Sequence, residues 1–475
     1  MHLTSTGILI IPLSLLVFFL APGRLGQWAI LVSALGAASV LDVGGGFPVG
    51  ITPYFFVAAL IGARVIGQML TGRLGLPANR AIQGHLRVLV LFVAWAVVSA
   101  LVLPILFSGM PVDLGRAGVD TTYFYLVPLR WSFSNVGQAG YLVLDLCVVL
   151  FFLRNAQRPG YVEGLVRAFT WCGLLVTAVG VYQLLSYRTG VPFPDSFFYS
   201  NKVWAQLNGE NIAGSWRINA TFPEASSAGD FFAMWSVFEL ILAERSGRDG
   251  GKHWWFALAG SFMVVTTTST TGYLAVAVAW SIFIWKYFVC GLLRGRVAVK
   301  ALLAAVLSVA GVVAAFLLGG HSASLLDTVV LNKMQSSSAV HRFASVYDSI
   351  YIFAQSFGLG VGLGSDRAMS SAAYILANLG AIGVVLSCYL LWQLRAMGRE
   401  GTKAGLGDGR TAIWFEALGW ALAVQVLAML ESGAEITGPT LWIPWGILLA
   451  VVRRRSLRPR QIRPRAELHA HALHA

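Results

Sequence analysis

Charge is what this chain has least of. Asp, Glu, Lys and Arg make up 12% of its 475 residues, about half the share found in a soluble globular domain. That shortage excludes a water-facing surface over most of the molecule. Cysteine is scarce as well. Cys147, Cys172, Cys290 and Cys388 each sit inside an apolar run, with neither metal-ligand spacing nor a disulfide framework. The first apolar run has no basic segment before it, so no cleavable signal sequence is expected. No internal repeat stands out, no Asp-x-Asp metal motif is evident in the polar loops, and no basic patch is woven into a nucleic-acid-binding pattern. The net charge of +13 therefore needs an explanation other than nucleic acid.

Apolar residues are what is abundant, at 57%, with a mean hydropathy of +0.71. Runs approaching the ~20 residues that cross a bilayer fall at 7–21, 27–41, 48–68, 86–107, 138–153, 161–186, 225–243, 254–270, 272–293, 297–318, 370–394, 412–431 and 438–452. The chain reads as an all-α polytopic membrane protein of about 12–14 spans. Residues 1–452 form one integral membrane domain, and 453–475 a basic tail.

Strict alternation of these spans sorts the charge. One side collects 26 of the 34 Lys and Arg residues. The other holds only Arg116, Arg130, Arg188, Lys202, Arg217, Lys333, Arg342 and Arg367. The positive-inside rule places the basic side, and the C-terminus, in the cytoplasm. The N-terminus then lies outside. Membrane topology and anionic lipid thus account for the basic balance.

The long loops, near 108–137, 187–224 and 319–369, all face outward. Loops of that length are usually functional or disordered, and their aromatic content argues against disorder. The first carries Tyr123, Phe124, Tyr125, Arg130, Trp131 and Phe133; such rings suit sugars but also belt membrane interfaces. The second ends in Arg217-Ile-Asn-Ala-Thr-Phe-Pro-Glu224, directly before a span that contains Asp230 and Glu239. Arg217 is a planar cation suited to phosphate, although a lone interfacial Arg often only anchors to lipid or pairs with a neighbour such as Glu224.

The third loop contains Val340-His-Arg-Phe-Ala-Ser-Val-Tyr-Asp-Ser-Ile-Tyr351. Phe343, Tyr347, Ile350, Tyr351 and Ala354 recur at helical spacing, with Arg342, Ser345, Asp348 and Ser349 opposite. This predicts an amphipathic helix on or near the outer membrane surface. Gly358, Gly360, Gly362 and Gly364 follow at alternate positions. They let backbone approach a ligand closely or make an irregular turn; the spacing is not a dinucleotide fingerprint.

Taken in order, these motifs resemble the bacterial O-antigen ligase/polymerase superfamily, which includes Wzy-type and exopolysaccharide polymerases. The resemblance rests on Arg217, Ala220-Thr-Phe222, Glu224 and Ala228; on Thr266 to Gly272; on Arg342; on the alternate glycines; and on Gly380-Ala-Ile-Gly383. It spans roughly residues 120–400. It implies a GT-C-like, metal-independent glycosyltransferase without a cofactor. The donor would be an oligosaccharide on undecaprenyl diphosphate, and the acceptor a sugar hydroxyl.

Arg217 and Arg342 would balance the leaving diphosphate, with Glu224 as base and Asp230, Glu431 and Glu435 as competitors for that role. Thr221, Asp230, Gly360, Gly362 and Arg130 would contact substrate. Membrane lipids and chain-length or export proteins would be partners. Two departures matter. Ligases of this superfamily usually carry a His before the Gly-x-Ile-Gly helix, where this chain reads Met369-Ser-Ser-Ala-Ala-Tyr374, which favours polymerisation. The Ser-Arg common at the Thr/Ser-rich span end is Ser269-Thr-Thr-Gly272 here, so one expected cation is missing. A ligase and a lipid or polysaccharide flippase are the competing readings.

Overall fold

The computed structural model describes residues 2–44, 49–75, 79–113, 126–203, 206–212, 215–293, 337–403, 409–432 and 436–456. The expected span 297–318, part of each long loop (including Arg116, Trp204 and Lys333), Glu435 and the tail from 457 lie outside the described residues.

Helices dominate. Among the described residues, seven are long and apolar enough to cross a membrane: α3 (Pro53–Leu70), α4 (Arg80–Leu106), α5 (Phe133–Asn155), α6 (Tyr161–Thr189), α10 (Thr270–Phe283, continuing as a π-turn to Val289), α12 (Ser371–Lys403) and α13 (Gly409–Ser432). The protein is thus an all-α, multi-pass membrane protein, and among the described residues the strands are only two or three residues long. Helices also stand at other expected spans. They are α1 (Ser5–Leu20), α8 (Ala225–Arg245), α9 (Gly251–Thr266) and α14 (Pro439–Ser456). Helix α8 is the hub: nearly every residue from Ala225 to Ala243 is buried, and α9, α10 and α13 pack around it. Its crossing with α6 is close enough that a Cβ on Gly173 would meet the Trp235 ring at 2.0 Å.

Basic helix ends collect at one end of the bundle. Arg154 Nη1 donates to the Leu74 carbonyl at 2.8 Å, and Arg453 Nη1 to that of Leu153 at 2.8 Å. Arg454 pairs with Glu163, and Arg245 and Lys286 share Glu416. The N-terminus sits at the opposite end. There Ser5 and Thr6 donate to the carbonyls of Ser196 and Phe197, and Ser200 Oγ meets Ser39.

The span expected at 27–41 is the main correction. Only Leu25–Val32 (α2) is helical, and the α1–α2 pair is bent by 117°. Residues 33–40 complete the return as buried, irregular chain. Unpaired backbone is costly away from water, so such a stretch persists only where protein satisfies it. Here Ala37 N donates to Thr221 O at 2.7 Å, its carbonyl accepts from Asn201 N at 3.3 Å, and Val40 O accepts from Thr4 N at 3.4 Å. Hydropathy is blind to this break because the residues remain apolar.

The amphipathic helix is present as α11 (Ser337–Gln355). Its polar face is turned into the protein: Ser345 Oγ accepts from Met369 N at 2.9 Å and Ser349 is fully buried. Its apolar face, with Phe343, Tyr347, Ile350 and Tyr351, is exposed, the arrangement expected beside lipid.

The glycine run has a structural explanation. Helix α12 is kinked at Gly380 (φ 62°, ψ −161°), a conformation open essentially to glycine alone. The kink frees carbonyls, and the 358–364 strand of chain takes them up. Val361 N donates to Ala377 O (2.8 Å), Gly362 N to Asn378 O (2.9 Å), and Ala381 N to Gly358 O (2.8 Å). Trp95 Nε1 covers Leu379 O at 2.9 Å. Gly358, Gly360, Gly362 and Gly364 all have φ between 79° and 99°. Gly360 and Gly362, expected to let backbone approach a ligand, instead let backbone approach backbone. A Cβ on either would stand 2.8 or 2.6 Å from a neighbouring carbonyl, and their amides are engaged by Ser356 Oγ and Asn378 O.

Candidate active site

The segment 217–222 runs from a short hairpin (Asn211–Ile212 paired with Ser215–Trp216) to the start of α8. It lies against the break between α9 and α10. Ile218 N donates to Thr266 O at 3.2 Å, and Arg217 Nε to Thr267 O at 3.3 Å. Each of these facing segments holds one non-glycine residue in the left-handed region, Ala220 (φ 51°) and Thr268 (φ 48°). Such strain persists only where neighbours over-determine it, and it gathers at functional sites.

For Ala220 the restraint is visible. Oε1 of buried Gln183, on α6, accepts from both Asn219 N (3.0 Å) and Ala220 N (2.8 Å). Tyr199 Oη donates to Ala220 O at 2.9 Å. Gln183 Nε2 in turn donates to Tyr199 Oη and Tyr187 Oη at 2.8 and 3.2 Å. Gln183 is a residue the sequence reading missed. Its signal was present: a single amide inside the apolar run 161–186.

Arg217 is mostly buried, and its carboxylate partner is Glu210, not Glu224. Glu224 occupies the N-cap position of α8 with extended backbone and is half-buried. A carboxylate there gains from the helix dipole and stays clear of the Arg217 pair. Thr221 is fully buried, and its Oγ1 has no partner among the described residues; the same holds for Thr268 Oγ1 and Thr271 Oγ1. Gly229 and Gly272 bring α8 and α10 together here, with Gly229 also against Thr267 and Ser269. Asp230 is buried about 1.7 turns below Glu224 along α8.

Arg342 on α11 pairs with Glu431 at the end of α13, at 2.7 Å. Helices α8 and α13 are joined at their basic ends by Arg245 Nε and Glu416 Oε2 at 3.3 Å. Four turns along each helix, about 22 Å, bring Asp230 and Glu431 to similar depth at the opposite end. So Arg217, Glu224, Thr221, Asp230 and the Arg342–Glu431 pair share one end of the bundle. Arg130 is exposed between β5 (Leu126–Pro128) and α5, and among the described residues no contact joins it to Arg217. Both arginines hold carboxylates, so an incoming anion must displace Glu210 and Glu431. Among the described residues, no group of three or more His, Cys, Asp or Glu could hold a metal ion.

A second acidic feature sits beside the glycine run. Asp366 is buried in the loop before α12, where its Oδ1 accepts from Asp113 N at 3.1 Å. Burial, with added repulsion from Asp113 and Asp348, pushes its carboxyl up to about 7. A carboxyl raised from 3.8 to about 7 on folding contributes stability that is full below the lower value and lost as pH rises through the upper one. The thermal midpoint of purified protein is therefore expected to fall between about pH 5 and 8. In Asp366→Asn, which keeps the acceptor oxygen, that slope flattens. An unchanged slope refutes the assignment to Asp366.

No family model matches the chain, and a search of curated proteins finds no significant match.

Proposed function

We propose that this protein is a polysaccharide polymerase of the bacterial inner membrane, joining undecaprenyl-diphosphate-linked repeat units at the outer face. The product is an exopolysaccharide, capsule or O-antigen, and the C-terminus is cytoplasmic. The observation that carries the proposal is the position of Arg217. It is tethered to the α9–α10 break between two strained residues, at the same bundle end as Arg342, in a protein with few cations on that side. A lipid diphosphate lies at such an interface, and its departure needs fixed positive charge.

In the reaction, the acceptor hydroxyl oxygen attacks the anomeric carbon of the donor. The carbon–oxygen bond to diphosphate breaks, and the lipid diphosphate leaves with the electron pair. Arg217 and Arg342 exchange Glu210 and Glu431 for its oxygens. The hydroxyl proton passes to a carboxylate, with Glu224 assigned that role because it holds no arginine among the described residues. Chain-length or export proteins would act with it.

A flippase is the second reading, favoured by the half-unwound α1–α2 crossing, since transporters use broken helices. The deletion phenotype separates the readings. Loss of a polymerase leaves single repeat units at the outer face. Loss of a flippase traps them inside, and loss of a ligase leaves lipid-linked polymer unattached. Trapped units or unattached polymer in the deletion strain would refute the polymerase.

A further inference from the structure

Beside Arg217 stands an aromatic pair that the reaction above does not use. Trp216 stacks on Tyr187, with ring centroids 5.1 Å apart and planes 28° from parallel. One face of the indole is covered in this way, yet the residue remains 43% exposed. Its surroundings are polar. Asn211, directly across the hairpin from Trp216, is exposed, and Glu210 and Arg217 are the adjoining residues of the two strands. Exposed Arg188 follows Tyr187.

A tryptophan that anchors a protein in lipid keeps its ring among apolar neighbours at headgroup depth. This one stacks on Tyr187 and shares its strand face with the exposed amide of its cross-strand partner Asn211, while Glu210, Arg217 and Arg188 adjoin the pair in sequence. An apolar ring face bordered by hydrogen-bonding side chains is the chemistry that recognises a sugar. The C–H face of a pyranose fits the indole while its hydroxyls meet an amide such as that of Asn211.

We infer that the Tyr187–Trp216 stack is a carbohydrate-binding subsite that holds a sugar ring of the acceptor glycan next to Arg217. The stack is rigid for a stated reason: Tyr187 Oη is fixed by Gln183 Nε2 at 3.2 Å. The same Gln183 restrains Asn219 and Ala220 through its Oε1, so one buried amide sets both the platform and the segment that carries Arg217. Trp216 is therefore a positioning residue. Its place fixes how far the growing chain lies from the leaving group.

The assignment to an acceptor rests on the polymerase reading; the affinity for a glycan does not. The probe is a set of short oligosaccharides released from the host's own polymer, titrated against the full-length protein in nanodiscs. Trp216→Ala is expected to weaken their binding about tenfold, while Trp216→Phe, which can still stack on Tyr187, retains most of it. In cells, Trp216→Ala is expected to shorten the polymer and to raise the acceptor KM with kcat little changed.

Wild-type oligosaccharide affinity in Trp216→Ala overturns the subsite, whatever happens to polymer. If Arg217→Ala still abolishes polymer in that case, the polymerase reading stands without it. Conversely, weakened glycan binding in Trp216→Ala combined with trapped repeat units in the deletion strain keeps the carbohydrate site and removes the polymerase. Loss of membrane insertion in Trp216→Ala, with glycan affinity intact, marks a lipid anchor and also overturns the proposal.

Discussion

Arg217→Ala is expected to leave the protein folded in the membrane and to reduce polymer at least about 100-fold, the scale of losing one fixed charge-stabilising donor at a reacting centre. The fold is expected to survive because of where the partner lies. Breaking a buried ion pair is costly when the remaining charge is trapped away from water. Glu210 is 36% exposed, so its carboxylate can hydrate once Arg217 is gone. Arg217→Lys tests geometry against charge. The guanidinium reaches Thr267 O through Nε and Glu210 through Nη1 at once, and an ammonium at the end of a flexible stem cannot copy that fork. Intermediate polymer yield is therefore expected. Polymer would be read on gels beside an immunoblot of membrane protein. Wild-type length in Arg217→Ala would sink the diphosphate role.

The second large effect is on folding. Gly380→Ala is expected to prevent accumulation of folded protein. Its backbone angles are reserved for glycine at a cost of about 1–3 kcal/mol for other residues. The new Cβ would lie 2.3 Å from the carbonyls of Gly358 and Leu359, and backbone atoms cannot rotate aside. Overpacking typically adds about 1–3 kcal/mol. The sum is a large part of the total stability of an ordinary domain, about 5–15 kcal/mol. Gly419 is the control: it lies in α13 with open space at its Cβ, so Gly419→Ala is expected to be neutral or mildly stabilising. Size-exclusion profiles of the detergent-solubilised variants would read this. A monodisperse Gly380→Ala at wild-type yield would show that the kink relaxes.

How much was legible in sequence differs from one element to the next. The helices at the expected spans from 48–68 onward, apart from 297–318 outside the described residues, were visible because lipid demands long apolar helices, and that demand is written in composition. The amphipathic helix around Arg342 was visible from its period, with the correct residues on each face. The unwound stretch 33–40 was not, because a buried irregular segment is as apolar as a helix. Its hydrogen bonds go to Thr221 and Asn201, far along the chain.

The candidate site divides in the same way. Arg217, Glu224 and Arg342 stood out as rare charges in an apolar chain, and they do lie at one end of the bundle. Their partners did not stand out. Glu210 is seven residues from Arg217 across a short hairpin, and Glu431 is on another helix. Gln183 acts through three hydrogen-bonding atoms on other segments.

Composition and period alone determined that the chain crosses a membrane several times and which of its polar residues are rare enough to mark as candidates. Those follow from transfer free energy, which is a property of residues taken one run at a time. Only the tertiary structure decided that the alternate glycines close the kink at Gly380, that α11 turns its polar face inward, and that Arg342 is held by a carboxylate on another helix. Those depend on which backbone and charged groups meet across the fold, and hydrogen-bond partners far apart in the chain leave no local trace in the sequence.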